Sequence, residues 1–369
     1  PVGIQARDPG RQAGCGAAFC IAIQMRLFPP LQRSSISPPA AGRYIFIDNA
    51  KAIGIVLIVI GHSKGLPDNM VRLIFSFHVP LFFFISGFLL KPDKLAESVP
   101  AHAKKILRTL AWPYFLFFCF AYLYWFATRN VGVKAALSAG RPWYDPIAGL
   151  LTGLEPDLYI NPPLWFFPCL VATVIVYQAA RKLLNLSAAT CCFAILGFAV
   201  TLAVSRPPYR LLLGLDTMWA ALSFYAIGQH ARARAWFDAM RAGPLLLVGL
   251  VSAAALVGAG QWNDRVDLAT MYFGAQPLLY LPVSLFGIVA VLCISKFLPA
   301  SGIAGWLSEN TLVIFPVHFV FLGLVRGAAL SLHVIDDNYR YGIGWSVASS
   351  MLAILLCIPV IHVWRRLPK

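Results

Sequence analysis

An all-α, polytopic transmembrane bundle of about ten membrane-spanning helices is predicted by three features of this 369-residue sequence. Apolar residues make up 59% of it and charged residues only 12%, with a mean hydropathy of +0.72. Soluble domains carry about 25% charged residues, enough to cover their surface. The apolar residues also fall into repeated runs of bilayer-crossing length, and the basic residues are unequally shared among the loops between those runs. This much apolar sequence exceeds what a core can hide in a chain of this length, so the surplus faces lipid.

A helix needs roughly 17–25 mostly apolar residues to cross the hydrocarbon. Such segments lie at 44–64, 71–90, 106–126, 164–180, 187–204, 209–229, 244–260, 276–295, 311–327 and 342–364. Pro80, Pro113, Pro168, Pro282, Pro316 and Pro359 fall inside spans. Bundles tolerate them, because neighbouring helices re-satisfy the freed carbonyls. The connection over 127–163 is long enough for a short interfacial or re-entrant helix. Residues 1–43, rich in Pro, Ser, Gly and Arg, read as a poorly ordered tail; 44–365 form the membrane domain and 366–369 a short C-terminal tail. The apolar piece Ala17–Ile23 is too short to span and no cleavage site follows it, so a secretory signal is not expected. Met25 is a plausible natural start.

With the N-terminus inside, nineteen Lys and Arg fall in cytoplasmic segments and ten in outer ones. That bias places the N-terminus in the cytoplasm, and an even number of spans returns the C-terminus there. The net charge of +15 resides in these loops. It therefore serves topology and anionic lipid head groups rather than nucleic acid. Cys119, Cys169, Cys191, Cys192, Cys293 and Cys357 lie within spans and Cys15 and Cys20 in the tail. No disulfide is expected, and no metal-binding spacing is present.

Ionisable residues within spans cost roughly 2.5–3.5 kcal/mol each to insert, which makes them functional candidates. The first span carries Asp48, Lys51 and His62. At 100° per residue Lys51 and His62 lie about 20° apart on the helix, Asp48 about 60° from Lys51, and the Lys51–His62 rise is about 16 Å. One face thus holds a cation near its cytoplasmic end and an imidazole towards the outer leaflet. His78 in the second span falls at a similar depth to His62 if the two pack antiparallel, and His318 lies about midway through the ninth.

These residues sit in a pattern. Asp48-x-x-Lys51 with Gly61-His62-Ser63, followed by Phe77-His78-Val79-Pro80-Leu81-Phe82-Phe83-Phe84-Ile85-Ser86-Gly87-Phe88, resembles the opening signature of the acyltransferase-3 family of membrane acyltransferases. Pro163-Leu164-Trp165-Phe166-Phe167 looks like the family's Leu-Trp-Phe-Leu element, and Asn310-Thr311 with His318 like its late Thr-Leu element. The resemblance runs from about 43 to 365. Lys51 stands where many members carry Arg, and Phe315 where a Tyr is expected. The resemblance implies transfer of an acyl group, usually acetyl, from cytoplasmic acetyl-CoA to a sugar hydroxyl. The acceptor is a lipid-linked or exported glycan such as an exopolysaccharide. The setting is the bacterial inner membrane, with possible association with polysaccharide assembly machinery, and no metal is needed.

The residue chemistry fits that activity. A sugar hydroxyl is a weak nucleophile that needs a base titrating near neutral pH, which is histidine's range. His62 takes that role, and His78 orients the acceptor or steadies the oxyanion. Asp48 joins them as a catalytic candidate. Lys51, Lys104 and Lys105, with Lys91, Lys94 and Arg108, meet the CoA phosphates as point charges. Trp165 and His318 are assigned to the substrate, and Trp143 and Tyr144 are further stacking candidates. A proton-coupled transporter or flippase also places such residues in spans, but it usually shows internal repeats, and none is seen here. A scaffold subunit of an export complex would need no ordered set of histidines.

Overall fold

Backbone polar groups inside a bilayer must be satisfied within the protein, and a helix does so within one segment. In the computed structural model, residues 44–367 are described, apart from Ala239 and Asp337, as fourteen α-helices and two short 3₁₀ turns. The helices are α1 (Ile45–His62), α2 (Asp68–Phe88), α3 (Pro92–Ala96), α4 (Val99–Thr128), α5 (Val133–Ser138), α6 (Ile147–Thr152) and α7 (Phe166–Leu183). They continue as α8 (Leu186–Ala203), α9 (Thr217–Ala233), α10 (Ala242–Gly260), α11 (Pro277–Phe297), α12 (Gly302–Glu309), α13 (Thr311–Ser331) and α14 (Ile343–Arg366). The tail expected over 1–43 lies outside the described residues.

Among the described residues nine of these helices are long and apolar enough to cross a membrane, and the chain is a multi-pass membrane protein. The tenth expected span is α9, at 17 residues just short of the others. Side-chain contacts show that it also runs from one end of the bundle to the other. Before it, Arg210 donates to the carbonyl of Ala269 at 3.0 Å, in the loop between α10 and α11. In its last turn, Arg232 donates to the carbonyl of Phe88 at 3.2 Å, at the far end of α2. Ten crossings then bring Tyr44, which meets Phe88, and Arg365, which donates to Asn310 at 3.2 Å, to one and the same end.

Packing sorts the helices by depth. α2 and α9 form the middle, crossing so closely that a Cβ on Gly87 would stand 1.9 Å from the Tyr225 carbonyl oxygen, and one on Gly228 2.0 Å from that of Phe84. Such backbone contact needs small residues. α9 supplies Ala220, Ala221, Ala226 and Ala231 as well, all buried. α8 and α10 are apolar but mostly unburied, so their faces belong to lipid. α4 exceeds its expected span by starting at Val99 rather than 106. Hydropathy marks only where the apolar stretch begins, whereas the helix continues through Lys104, Lys105 and Arg108 in water. The long connection holds α5 and α6 and then the 3₁₀ turn Pro162–Trp165.

This topology makes a prediction. Tyr209 and Trp236, both exposed, flank α9. Single cysteines at these two positions in an otherwise cysteine-free chain should label with membrane-impermeant maleimide from opposite sides of the membrane. Labelling from the same side would remove α9 as a crossing.

Candidate active site

Two prolines shape the helices that carry the buried imidazoles. Pro80 has no N–H, so the carbonyl of Ser76 lacks its helical partner. The Ser284 hydroxyl of α11 donates to it at 2.5 Å. In the same turn His78 Nδ1 donates to the Ile74 carbonyl at 2.7 Å. Because a carbonyl only accepts, Nδ1 carries the proton, and Nε2 of the neutral ring is left as an acceptor. α13 repeats the arrangement: Pro316 precedes His318, whose Nδ1 donates to Ile314 at 3.2 Å. Nε2 of His318 is buried with no hydrogen-bond partner among the described residues. Asn161 Nδ2 donates to the Pro316 carbonyl at 2.9 Å and so joins the Pro162–Trp165 turn to α13 beside it.

His62, the last residue of α1, completes the group. Its ring centroid lies 5.3 Å from His318 and 6.4 Å from His78. Phe75 is wedged against both His62 at 5.5 Å and His78 at 4.7 Å. The following residue, Ser63, hydrogen-bonds to Ser346 of α14 and donates to Ile60 at 2.6 Å. These contacts hold the end of α1 in place.

A cavity of about 250 Å³ is lined by His62, His78, Phe75, Trp165, Glu155 and Arg265, among others. It adjoins a wider basin of about 1100 Å³ at the same end of the bundle, and His62, Arg265 and Asp267 border both. Among the described residues lining the inner cavity Arg265 is the one Lys or Arg, its guanidinium carbon 3.9 Å from the centroid of the Phe75 ring. The loop that places it is internally braced by Asn263. The Asn263 amide donates to Phe273 at 2.9 Å, and its oxygen accepts from Asp264 at 3.0 Å and Gln276 at 2.8 Å. Gly274, at φ +87°, lets the chain turn against that amide, where a side chain would collide with it. Burial pushes the carboxyl of Asp267 up, partly offset by Arg265. Burial, reinforced by the nearby Asp267, does the same to Glu155.

The opposite end of α1 is a separate cluster. Lys51 donates to the Ser308 carbonyl at 2.7 Å, and Ser308 Oγ donates to Asp48 at 2.6 Å. An ammonium on the last turn of α12 is favoured by that helix's dipole. Asp48 and Lys51 are thus brought to each other's neighbourhood and not to the histidines.

Residues 44–364 match the acyltransferase domain family. The chain belongs to the acyltransferase-3 family. It is also similar to the nodulation protein NolL of Sinorhizobium fredii (strain NBRC 101917 / NGR234), with 41% identity over 80 residues, 19% of this chain and 22% of NolL. The match thus spans less than a quarter of that relative's length. No solved structure matches the chain.

In this acyltransferase-3 chain the motif elements meet in pairs. The first signature joins the late one at Ser308, whose carbonyl also accepts from Thr311 at 3.0 Å. Phe315 packs against Phe166 at 5.0 Å and Phe167 at 6.2 Å, so an aromatic contact stands where a hydroxyl was expected. Two further pockets flank α4 at the Lys51 end. One, of about 680 Å³, is lined by Arg108, Trp112, Glu309, Asn310, Val313 and Arg365, among others. The other, of about 660 Å³, includes Lys91, Lys94, His102 and Lys105. Lys105 is exposed and shares Glu97 with Lys94, at 2.8 and 3.0 Å; Lys104 is exposed on α4. Trp143 and Tyr144 are exposed and line neither chamber at the histidine end.

Sequence reasoning missed Arg265, Asp267 and Glu155. The first was counted only as an outer loop charge. The available signal was the polar run Gln261–Asp267, dense in charge directly after an apolar span. Because Asn263 braces that loop, Asn263→Ala should cost about 1–3 kcal/mol by leaving buried partners unpaired. Faster hydrogen exchange over 261–276, with α1 and α2 unchanged, is the expected readout; unchanged exchange there would refute the bracing.

Proposed function

We propose that this acyltransferase-3 protein is an inner-membrane O-acyltransferase. On this reading it moves an acyl group, acetyl in the first instance, from cytoplasmic acyl-CoA to a sugar hydroxyl of a lipid-linked or exported glycan such as an exopolysaccharide. The observation that carries the reading is the placement of His62 on the border shared by the smaller cavity and the wider basin, with basic pockets at the other end of the same helices. The positive-inside bias assigns the Lys51 end to the cytoplasm and the histidine end to the outer face.

In the proposed reaction His62 takes the proton of the acceptor hydroxyl as its oxygen attacks the thioester carbon. The tetrahedral intermediate collapses with cleavage of the C–S bond. The thiolate recovers the proton from His62 and leaves as CoA–SH, while the acyl group remains as an ester. With Nδ1 committed to Ile74, His78 offers an accepting Nε2, which suits holding a neighbouring hydroxyl of the acceptor sugar better than meeting an oxyanion. The cation for the oxyanion is then Arg265, the residue on the cavity able to supply charge there. Lys51 secures α12 at the rim of the pocket that contains Glu309 and Asn310. Lys104, Lys105 and Arg108 are the phosphate contacts proposed for the donor. Val313 lines that pocket and Phe315 the histidine cavity, about 3 Å apart in helix rise. The acyl-bearing arm would have to enter between these two chambers, past the aromatic cluster of Phe315, Phe166 and Phe167.

His62→Ala should insert and express as wild type, since removing a costly imidazole imposes no desolvation, and should lower acyl transfer about 100-fold or more. Release of CoA from acetyl-CoA by purified protein with a glycan acceptor measures this; retained turnover would exclude His62 as base. No CoA release by the wild type would favour a transporter.

Lys51→Ala should raise the acyl-CoA KM, whereas Lys51→Arg keeps the charge and stays close to wild type. His78→Ala should lower kcat with donor KM little changed. Steady-state kinetics in nanodiscs, varying acetyl-CoA at fixed acceptor, separate the two; an unchanged donor KM in Lys51→Ala would end this division of labour.

A further inference from the structure

The basin beyond His62 is lined by five cationic side chains, Lys64, Arg72, Arg206, Arg210 and Arg265, and three acidic ones, Asp68, Asp264 and Asp267. Arg210 is spoken for, paired with Asp216 at 2.6 and 3.2 Å. None of Lys64, Arg72, Arg206 and Arg265 is ion-paired among the described residues. Two of them sit over rings, the guanidinium carbon of Arg206 3.7 Å from the Tyr272 centroid and that of Arg265 3.9 Å from the Phe75 centroid. A guanidinium held over a ring by the cation–π attraction keeps N–H donors for a bidentate anion. The carboxylates are partly engaged at home. Asp264 accepts from the Tyr272 hydroxyl at 3.1 Å and Asp267 from the Ala269 amide at 3.1 Å. Burial also pushes the Asp267 carboxyl up, partly offset by Arg265 and Arg210. Arg206 is held at φ +51°, in the left-handed region that costs a non-glycine residue energy. Its amide donates to Met271 at 3.1 Å, which ties its loop to the one carrying Arg265.

We propose that the basin recognises an anionic glycan, gripping a sugar carboxylate or phosphate with Arg206 and Arg72 so that a neighbouring hydroxyl reaches His62. This rests on the acyltransferase reading and names its acceptor class. A basin of about 1100 Å³ has room for more than the reacting ring, and charge recognition beside that ring sets which residue of a chain is acylated.

The test is direct binding to the full chain in phosphatidylcholine nanodiscs, followed by fluorescence anisotropy of labelled trigalacturonate and of neutral maltotriose. Trigalacturonate should bind about tenfold tighter at low salt, and the gap should close as salt rises. Arg206→Asn suits the left-handed backbone and removes the charge, so it should erase most of that preference while leaving maltotriose unaffected; Arg206→Lys should retain it. Displacement of trigalacturonate by glucose 1-phosphate extends the site to phosphate and supports it. Equal affinity for the two sugars, a salt-independent preference, or unchanged binding in Arg206→Asn overturns the proposal. So does loss of trigalacturonate binding when phosphatidylglycerol is added, which would make the basin a lipid head-group site. Failure of the underlying reading is seen separately, as wild-type protein that releases no CoA with any acceptor.

Discussion

A polar group buried away from water must be paired, and in a membrane bundle the pairing has to come from the protein itself. The candidate site depends on how two helices meet that demand. Pro80 and Pro316 each interrupt the ladder within two residues of a buried imidazole. In both helices the imidazole Nδ1 turns back onto the carbonyl one turn earlier. The rings are thereby fixed in one tautomer, with Nε2 left as the free acceptor of each. The same requirement explains Ser284, which donates from α11 to the carbonyl that Pro80 leaves unpaired. Packing, tautomer and chemistry follow from one constraint.

The bundle separates two kinds of environment along α1. At one end Asp48, Lys51 and Ser308 form a compact polar knot; at the other His62 borders a chamber open to the outside. About 16 Å of helix lies between them, filled by residues such as Ile55 and Ile58 that are fully buried. A reaction joining a donor from one face to an acceptor on the other suits this separation. The close crossing of α2 and α9 at Gly87 and Gly228 gives the scaffold its rigid centre. The lipid-facing α8 and α10 contribute no residue to the lining of either chamber.

The loop between α10 and α11 is the least regular part of this site and contributes its cation. Its shape rests on one buried side chain, Asn263, satisfying three backbone groups. A charge presented from a braced loop costs little reorganisation when negative charge develops nearby. Arg265 also shares both chambers with His62 and Asp267. The proposed acceptor basin and the histidine cavity thus share part of their lining.

The fold class was legible in the sequence because lipid exposure leaves a one-dimensional trace. Nine spans stand close to where hydropathy places them, and the tenth, α9, is recognisable by its apolar run even though its length is marginal. Family membership was also legible, since Asp48, Lys51, His62 and His78 sit in local motifs at fixed spacing. Helical periodicity put Lys51 and His62 on one face; it could not tell that Asp48 and Lys51 would both bond to Ser308, more than 250 positions away. Nor could it bring Glu155, Arg265 and Asp267 to the imidazoles, because loop residues carry no periodicity and their neighbours are set by loop bracing. The sequence by itself determined which segments enter the membrane, because transfer into lipid is a local property of each segment. Only the tertiary structure decided which polar groups face one another, because pairing across helices is a property of their crossing.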